Sequence, residues 1–108
     1  MTNAINIAKY IDVIEFDERY ESELYNTTTL YFVGPKEILS DKYPECESVE
    51  ISIEFPSDEP DCLCPAVCIS PTKDGSDYDW TCLYIPKEVF DELISKSALP
   101  KGEKDDQT

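Results

Sequence analysis

Histidine is absent from this 108-residue sequence, arginine occurs once, as Arg19, and glycine occurs three times. Each scarcity excludes something. Without histidine the commonest general acid or base is missing, and no serine or cysteine has a basic partner in the sequence to activate it as a nucleophile. Three glycines leave no glycine-rich phosphate loop, and no nucleotide-binding motif is present. Carboxylate pairs such as Asp58 and Asp61 are the residue type a glycosidase uses, but that chemistry needs a deep cleft, which a domain of this length seldom builds. The chain is therefore expected not to be an enzyme and to carry no cofactor.

Long apolar runs are also lacking. No stretch approaches the roughly 20 residues of a membrane-spanning helix. The opening residues, MTNAINIAKYID, have neither the basic start nor the continuous apolar stretch of a secretion signal, so a cytoplasmic location is expected. On that expectation the acceptor-like triplet Asn26-Thr27-Thr28 is a chance match to a glycosylation site.

Positive charge is the third shortage. Twenty-four acidic residues stand against 9 basic ones, a formal net charge of −15. DNA, RNA or an anionic membrane would meet like charge, and there is no basic stripe to reverse the sign locally. A net charge of roughly 2 to 8 suffices to keep a small domain soluble. The surplus repels itself and weakens the compact state, so a role in steering a positive partner is expected.

What is present suffices for a modest core: 41% of the residues are apolar, with Ile, Val, Leu, Phe, Tyr and Trp in short runs. The length allows one domain, expected over residues 1–100, with the polar stretch KGEKDDQT (101–108) as a disordered tail. The pattern predicts an α+β fold: a small antiparallel sheet of about four to five strands, covered by a C-terminal helix, with one or two further short helices. Residues 4–16 predict a short helix leading into a strand, and 17–26 a charged connection containing a helical turn. Thr27–Val33 reads as a strand ended by Gly34-Pro35, and Pro35 opens a short helix stopped at Pro44. The cleanest pattern is Ser48–Phe55, where Val49, Ile51, Ile53 and Phe55 alternate with Ser48, Glu50, Ser52 and Glu54, giving one buried and one wet, acidic face. Cys64–Ser70 and Tyr78–Ile85 predict a hairpin closed by PTKDGSD, both strands being apolar on each face as if covered on both. Pro86 to about Lys96 predicts the covering helix, with Val89, Phe90, Leu93 and Ile94 as its apolar stripe.

Five cysteines, Cys46, Cys62, Cys64, Cys68 and Cys82, are a candidate for chemistry. Structural zinc sites usually take paired C-x(2–4)-C knuckles from two places, and here Cys82 stands alone with no histidine, so no metal site is expected. The odd number and a reducing compartment disfavour structural disulfides, leaving Cys64, Cys68 and Cys82 as small fillers of the sheet. Asp74, Asp77 and Asp79 around Gly75 lack the ligand register of a calcium loop and read as a solvated turn.

The acidic residues are organised. Between Lys42 and Lys73 there is no basic residue, and that stretch holds Glu45, Glu47, Glu50, Glu54, Asp58, Glu59 and Asp61. A second cluster contains Asp17, Glu18, Glu21 and Glu23, with Asp12 and Glu15 before them and only Arg19 in relief. Carboxylates two residues apart on a strand stand roughly 6.5 to 7 Å from each other, near the spacing of phosphates along a nucleic-acid strand. These residues are the expected contact surface for a basic protein, and Tyr20, Tyr25, Tyr43 and Tyr78 are candidate anchors beside them. In size, charge and absence of a catalytic motif the chain resembles phage-encoded DNA mimics of the anti-CRISPR and anti-restriction kind, a resemblance of composition with no shared motif. It implies an inhibitor seated on the nucleic-acid-binding surface of a nuclease or effector complex in the host cytoplasm, without direct nucleic-acid or membrane binding. Two alternatives stand beside it: an immunity protein neutralising a basic nuclease toxin, and a cysteine-based zinc-binding regulatory module.

Overall fold

The computed structural model describes residues 7–58 and 66–105, with side chains described as far as residue 97. It is an α+β fold, a curled antiparallel sheet with a C-terminal helix. The strands are β1 (Glu15–Ser22), β2 (Thr27–Pro35), β3 (Ser48–Pro56), β4 (Ala66–Lys73), β5 (Ser76–Asp77) and β6 (Thr81–Cys82). They lie in the order β1-β2-β3-β4-β5, and β6 also pairs with β4. Short 3-10 helices occupy Ala8–Val13 and Lys36–Ile38, and α1 spans Lys87–Asp105. Among the described residues no helix is long and apolar enough to cross a membrane. The expected disordered tail, 101–108, falls on residues whose side chains, and for 106–108 also the backbone, lie outside the described ones.

Alternation decides which face is buried. Leu30 and Phe32 of β2, Val49, Ile51, Ile53 and Phe55 of β3, and Val67 and Ile69 of β4 are buried on one face. Ile7, Ile14, Ile38 and Leu39 from the 3-10 segments and Val89 and Leu93 of α1 close over them. Phe16 meets Phe32 edge-on, with ring centroids 5.6 Å apart. Gly34 is required here: a Cβ would stand 2.9 Å from Ile38 Cδ1, 3.2 Å from Val49 Cγ2 and 3.3 Å from Ile14 Cγ1. The apolar stripe of α1 divides, with Val89 and Leu93 buried and Phe90 and Ile94 half-buried beside the core.

Three local expectations change. The charged segment after Phe16 is not a connection but the edge strand β1, joined to β2 by a turn in which Asn26 takes φ 55°. Carboxylates and a guanidinium along an open edge discourage pairing with other chains, so a charged strand at this place is a physical solution rather than an anomaly. The helix expected after Pro35 is a single 3-10 turn followed by irregular turns. The loop PTKDGSD is also shorter than expected: β4 runs on to Lys73, and Asp74 (φ 57°) and Gly75 (φ 80°) alone turn the chain, the left-handed pair that two-residue hairpins favour.

Pro71 explains why the last strand is broken into β5 and β6. A strand residue's N–H and C=O point to the same neighbour, and the Pro71 carbonyl accepts the Tyr78 N–H at 3.3 Å. The N–H that proline lacks therefore belongs on that side, and the ladder cannot continue there. The Ser70 hydroxyl compensates, accepting N–H groups from Tyr78 (3.2 Å) and Asp79 (3.1 Å) while donating to the Pro71 carbonyl at 2.9 Å. The bowed-out segment 78–80 thus leans over the outer face.

Candidate binding face

The outer face of the sheet is not covered by a helix among the described residues, contrary to the expectation for its last strands: Tyr78, Trp80 and Tyr84 are all exposed. Small residues lie along its middle, with Ser52 of β3 in register with Cys68 of β4. Larger ones rise around them. The result is an open depression of about 580 Å³ lined by Asp17, Glu18, Tyr20, Tyr31, Glu50, Ser52, Cys68, Asp77 and Trp80. Four carboxylates and three aromatic rings share one hollow, and no lysine or arginine among the described residues lines it.

A β-bulge makes this convergence possible. Regular alternation would turn one of two consecutive residues inward, but the β1–β2 register slips between Phe16 and Glu18, so Phe16 stays opposite Phe32 while Glu18 pairs with Tyr31. The extra residue, Asp17, joins Glu18 at the rim. Glu50 enters from β3 by plain alternation, and Asp77 enters from β5 because its register partner, Thr72, lies on the outer side of β4. Trp80 is brought over by the segment that Ser70 holds.

The electrostatics record the crowding. Glu50, half-buried, has its carboxyl pushed up from 4.5 to about 7, first by burial, then by a hydrogen bond to Asp77 and by the charges of Asp77, Asp17 and Glu18. The Tyr31 phenol is also raised, by burial first and then by Glu50, Glu18, Glu54 and Asp77. None of the four pocket carboxylates is in an ion pair among the described residues. The pairs found are Arg19–Glu21 (3.0 Å), Lys73–Glu45 (3.3 Å) and Lys87–Asp91 (3.2 Å).

The acidic residues singled out by sequence thus fall into separate groups. Asp17, Glu18 and Glu50 line the hollow, and Glu54 stands exposed on the same face, its charge felt at Tyr31. Glu45 and Glu47 lie at another place, beside the β4–β5 turn, where Glu45 pairs with Lys73 and Glu47 accepts the Asp74 N–H at 3.0 Å. Glu21 is paired with Arg19, Glu23 sits in the β1–β2 turn, and Asp58 in the turn after β3. Glu59 and Asp61 lie outside the described residues. Of the candidate anchors, Tyr20 lines the hollow, Tyr25 is exposed in the hairpin turn, and Tyr43 packs edge-on against Tyr78 at 5.8 Å with its hydroxyl bonded to Asp79. Asp77, Tyr31 and Trp80 are additional members of the hollow. Tyr31 sits in the strand-like run TTTLYFV, and Asp77 and Trp80 in SDYDWTC, and neither sequence says on which face these residues end.

The cysteines divide as well. Cys46 is buried, whereas Cys68 is half-buried on the outer face and Cys82, expected as a small filler of the sheet, is exposed; Cys62 and Cys64 lie outside the described residues. Among the described residues no three His, Cys, Asp or Glu side chains gather in a way that would hold a metal ion. Comparison with protein-family models, with curated proteins and with solved structures found no match.

Proposed function

We propose that this chain is an acidic inhibitor that binds the basic, nucleic-acid-holding surface of a DNA- or RNA-handling protein, with the outer face of its sheet as the contact surface. The observation that carries the proposal is the hollow between β1 and β5, where Asp17, Glu18, Glu50 and Asp77 converge with no lysine or arginine beside them among the described residues. An entering lysine or arginine relieves their mutual repulsion. A guanidinium gains most, because it forms bidentate bonds to carboxylates and stacks on the faces of Tyr20, Tyr31 or Trp80. Walls of Tyr and Trp also match the composition of interface hot spots. Surfaces evolved to hold phosphates present such side chains in quantity, and an acidic protein approaching them is steered by the same long-range field as the natural ligand. This proposal carries with it a cytoplasmic site of action, where such proteins meet nucleic acid.

The test uses nuclease-treated lysate and three forms of the full chain: the natural sequence, Asp17→Lys/Glu18→Lys/Glu54→Lys, and Glu45→Lys/Glu47→Lys. The natural chain and the second variant should retain nucleic-acid-binding proteins that added duplex DNA or RNA displaces, and the first variant should lose them. Retention by all three forms, or retention that nucleic acid does not displace, would contradict the proposal.

A further inference from the structure

Cys68 and Cys82 are register partners on β4 and β6, with their Sγ atoms 4.0 Å apart. The Leu83 N–H donates to the Val67 carbonyl at 2.8 Å. That bond skips the two cysteines and makes them a non-hydrogen-bonded pair, the narrow kind, in which Cα atoms approach to about 4.5 Å. Disulfides accept Cα separations of roughly 4.4–6.8 Å. The two sulfurs therefore have to close on each other by side-chain rotation, without a change of register.

We propose that Cys68 and Cys82 form a redox-responsive thiol pair that closes to an intrachain disulfide and clamps the Trp80 wall of the acidic hollow. Cys82 is the exposed sulfur, and a low-molecular-weight disulfide reaches it first. The Cys68 thiol is raised by burial and by the adjoining Cys82 sulfur, which suits it to the second, resolving step. In the first step the Cys82 thiolate, having given its proton to solvent, attacks the oxidant's S–S bond and releases one small thiolate. In the second, Cys68 loses its proton, attacks the Cys82 sulfur of the mixed disulfide and releases the other. The protein gives up two electrons and two protons, and the oxidant becomes two small thiols. Such an exposed bond follows the redox poise of its surroundings, unlike a buried structural disulfide, and is reduced again by excess thiol.

The clamp follows from how short β6 is, since Ser70 and Tyr43 hold the chain only as far as Asp79. β6 consists of Thr81 and Cys82 alone, and Trp80, just before it, lines the hollow together with Cys68. A bond from Cys82 to the interior strand β4 ties that wall covalently to the floor. The link between oxidation and binding rests on the proposed function; the disulfide itself does not.

The experiment equilibrates the full chain in glutathione buffers of graded ratio, alkylates the remaining thiols and sequences the linked tryptic peptides by fragmentation mass spectrometry: cleavage after Lys73 separates Cys82 from peptide 43–73, and fragment ions locate the linked sulfur among the four cysteines of that peptide. Trp80 is the single tryptophan, so acrylamide quenching reads the wall directly. Expected are a cross-link between the Cys68 and Cys82 peptides, its loss in Cys82→Ser, and reduced quenching in the oxidised natural chain alone. A bond from either residue to Cys46, Cys62 or Cys64, or both thiols remaining alkylatable in fully oxidised buffer, overturns the pair; a Cys68–Cys82 bond with unchanged quenching overturns the clamp. Neither readout uses a basic partner, so failure here leaves the charge-reversal result standing, and failure of that test leaves the disulfide standing.

Discussion

Replacing Glu50 by glutamine tests the crowding of the hollow through stability alone. The folded protein holds the Glu50 proton up to about pH 7, whereas the ordinary carboxyl releases it near 4.5. Because the folded form binds this proton more tightly, the stability it contributes is complete below 4.5 and is lost as the pH rises through 7. At about 1.36 kcal/mol per pH unit the difference amounts to roughly 3 kcal/mol at face value. The side chain is only half-buried and its neighbours are solvated, so screening reduces the expected figure to about 1–2 kcal/mol. Glutamine resembles the protonated carboxyl in shape and still offers a donor to Asp77. Glu50→Gln should therefore match the natural chain near pH 4.5 and exceed it by about 1–2 kcal/mol at pH 8, with an unchanged denaturant slope. Urea unfolding followed by circular dichroism across that range measures both. Parallel pH profiles, or a variant weaker than the natural chain at pH 8, would refute the reasoning.

Other substitutions probe the parts that position the hollow. Gly34→Ala forces a methyl against Ile38 and Val49 and should cost about 1–3 kcal/mol, read as a lower urea midpoint. Leu93→Ala empties a fully buried position under α1 and should cost about 2–5 kcal/mol in the same assay. Ser70→Ala removes the acceptor of the Asp79 N–H and leaves the Tyr78 N–H only its bond to the Pro71 carbonyl; a loss of about 1–3 kcal/mol is expected, accompanied by a red shift and stronger quenching of Trp80 fluorescence as the wall loosens.

How much of this was legible in the sequence depended on whether a residue's neighbours in the chain were also its neighbours in space. β3 was readable because period-2 alternation of Val49, Ile51, Ile53 and Phe55 is a local signal, and it correctly set Glu50 and Glu54 on the outer face. β1 was not, because an edge strand carries charge on both faces and its sequence, EFDERYES, looks like a connection. The bulge at Asp17 is likewise invisible, since it exists only relative to β2. The depth of the hollow depended on small Ser52 and Cys68 facing each other across two strands, and its far wall on Pro71 interrupting a ladder that composition alone would have continued. Acidic clusters in sequence were thus a guide to amount of charge and a poor guide to place: Glu45 and Glu47, five and three residues before Glu50 in the chain, end beside Lys73 and Asp74 and not in the hollow.

Under the proposed function the same charges govern both the stability of the free chain and its affinity for a basic partner, and salt separates the two. Neighbouring strands lie about 4.8 Å apart, so the outer-face carboxylates repel one another well inside the 8–10 Å or so over which physiological salt screens. Raising the salt toward 1 M shortens that range to about 3 Å. The free protein should then become more stable, because the repulsion it carries when folded is relieved. A complex held by the hollow should become weaker over the same range, because the attraction that assembled it is screened too. Opposite responses are the mark of a face whose charge is spent on a partner. If salt stabilises the chain but leaves affinity unchanged or improves it, the contact is apolar and lies away from Asp17, Glu18, Glu50 and Asp77.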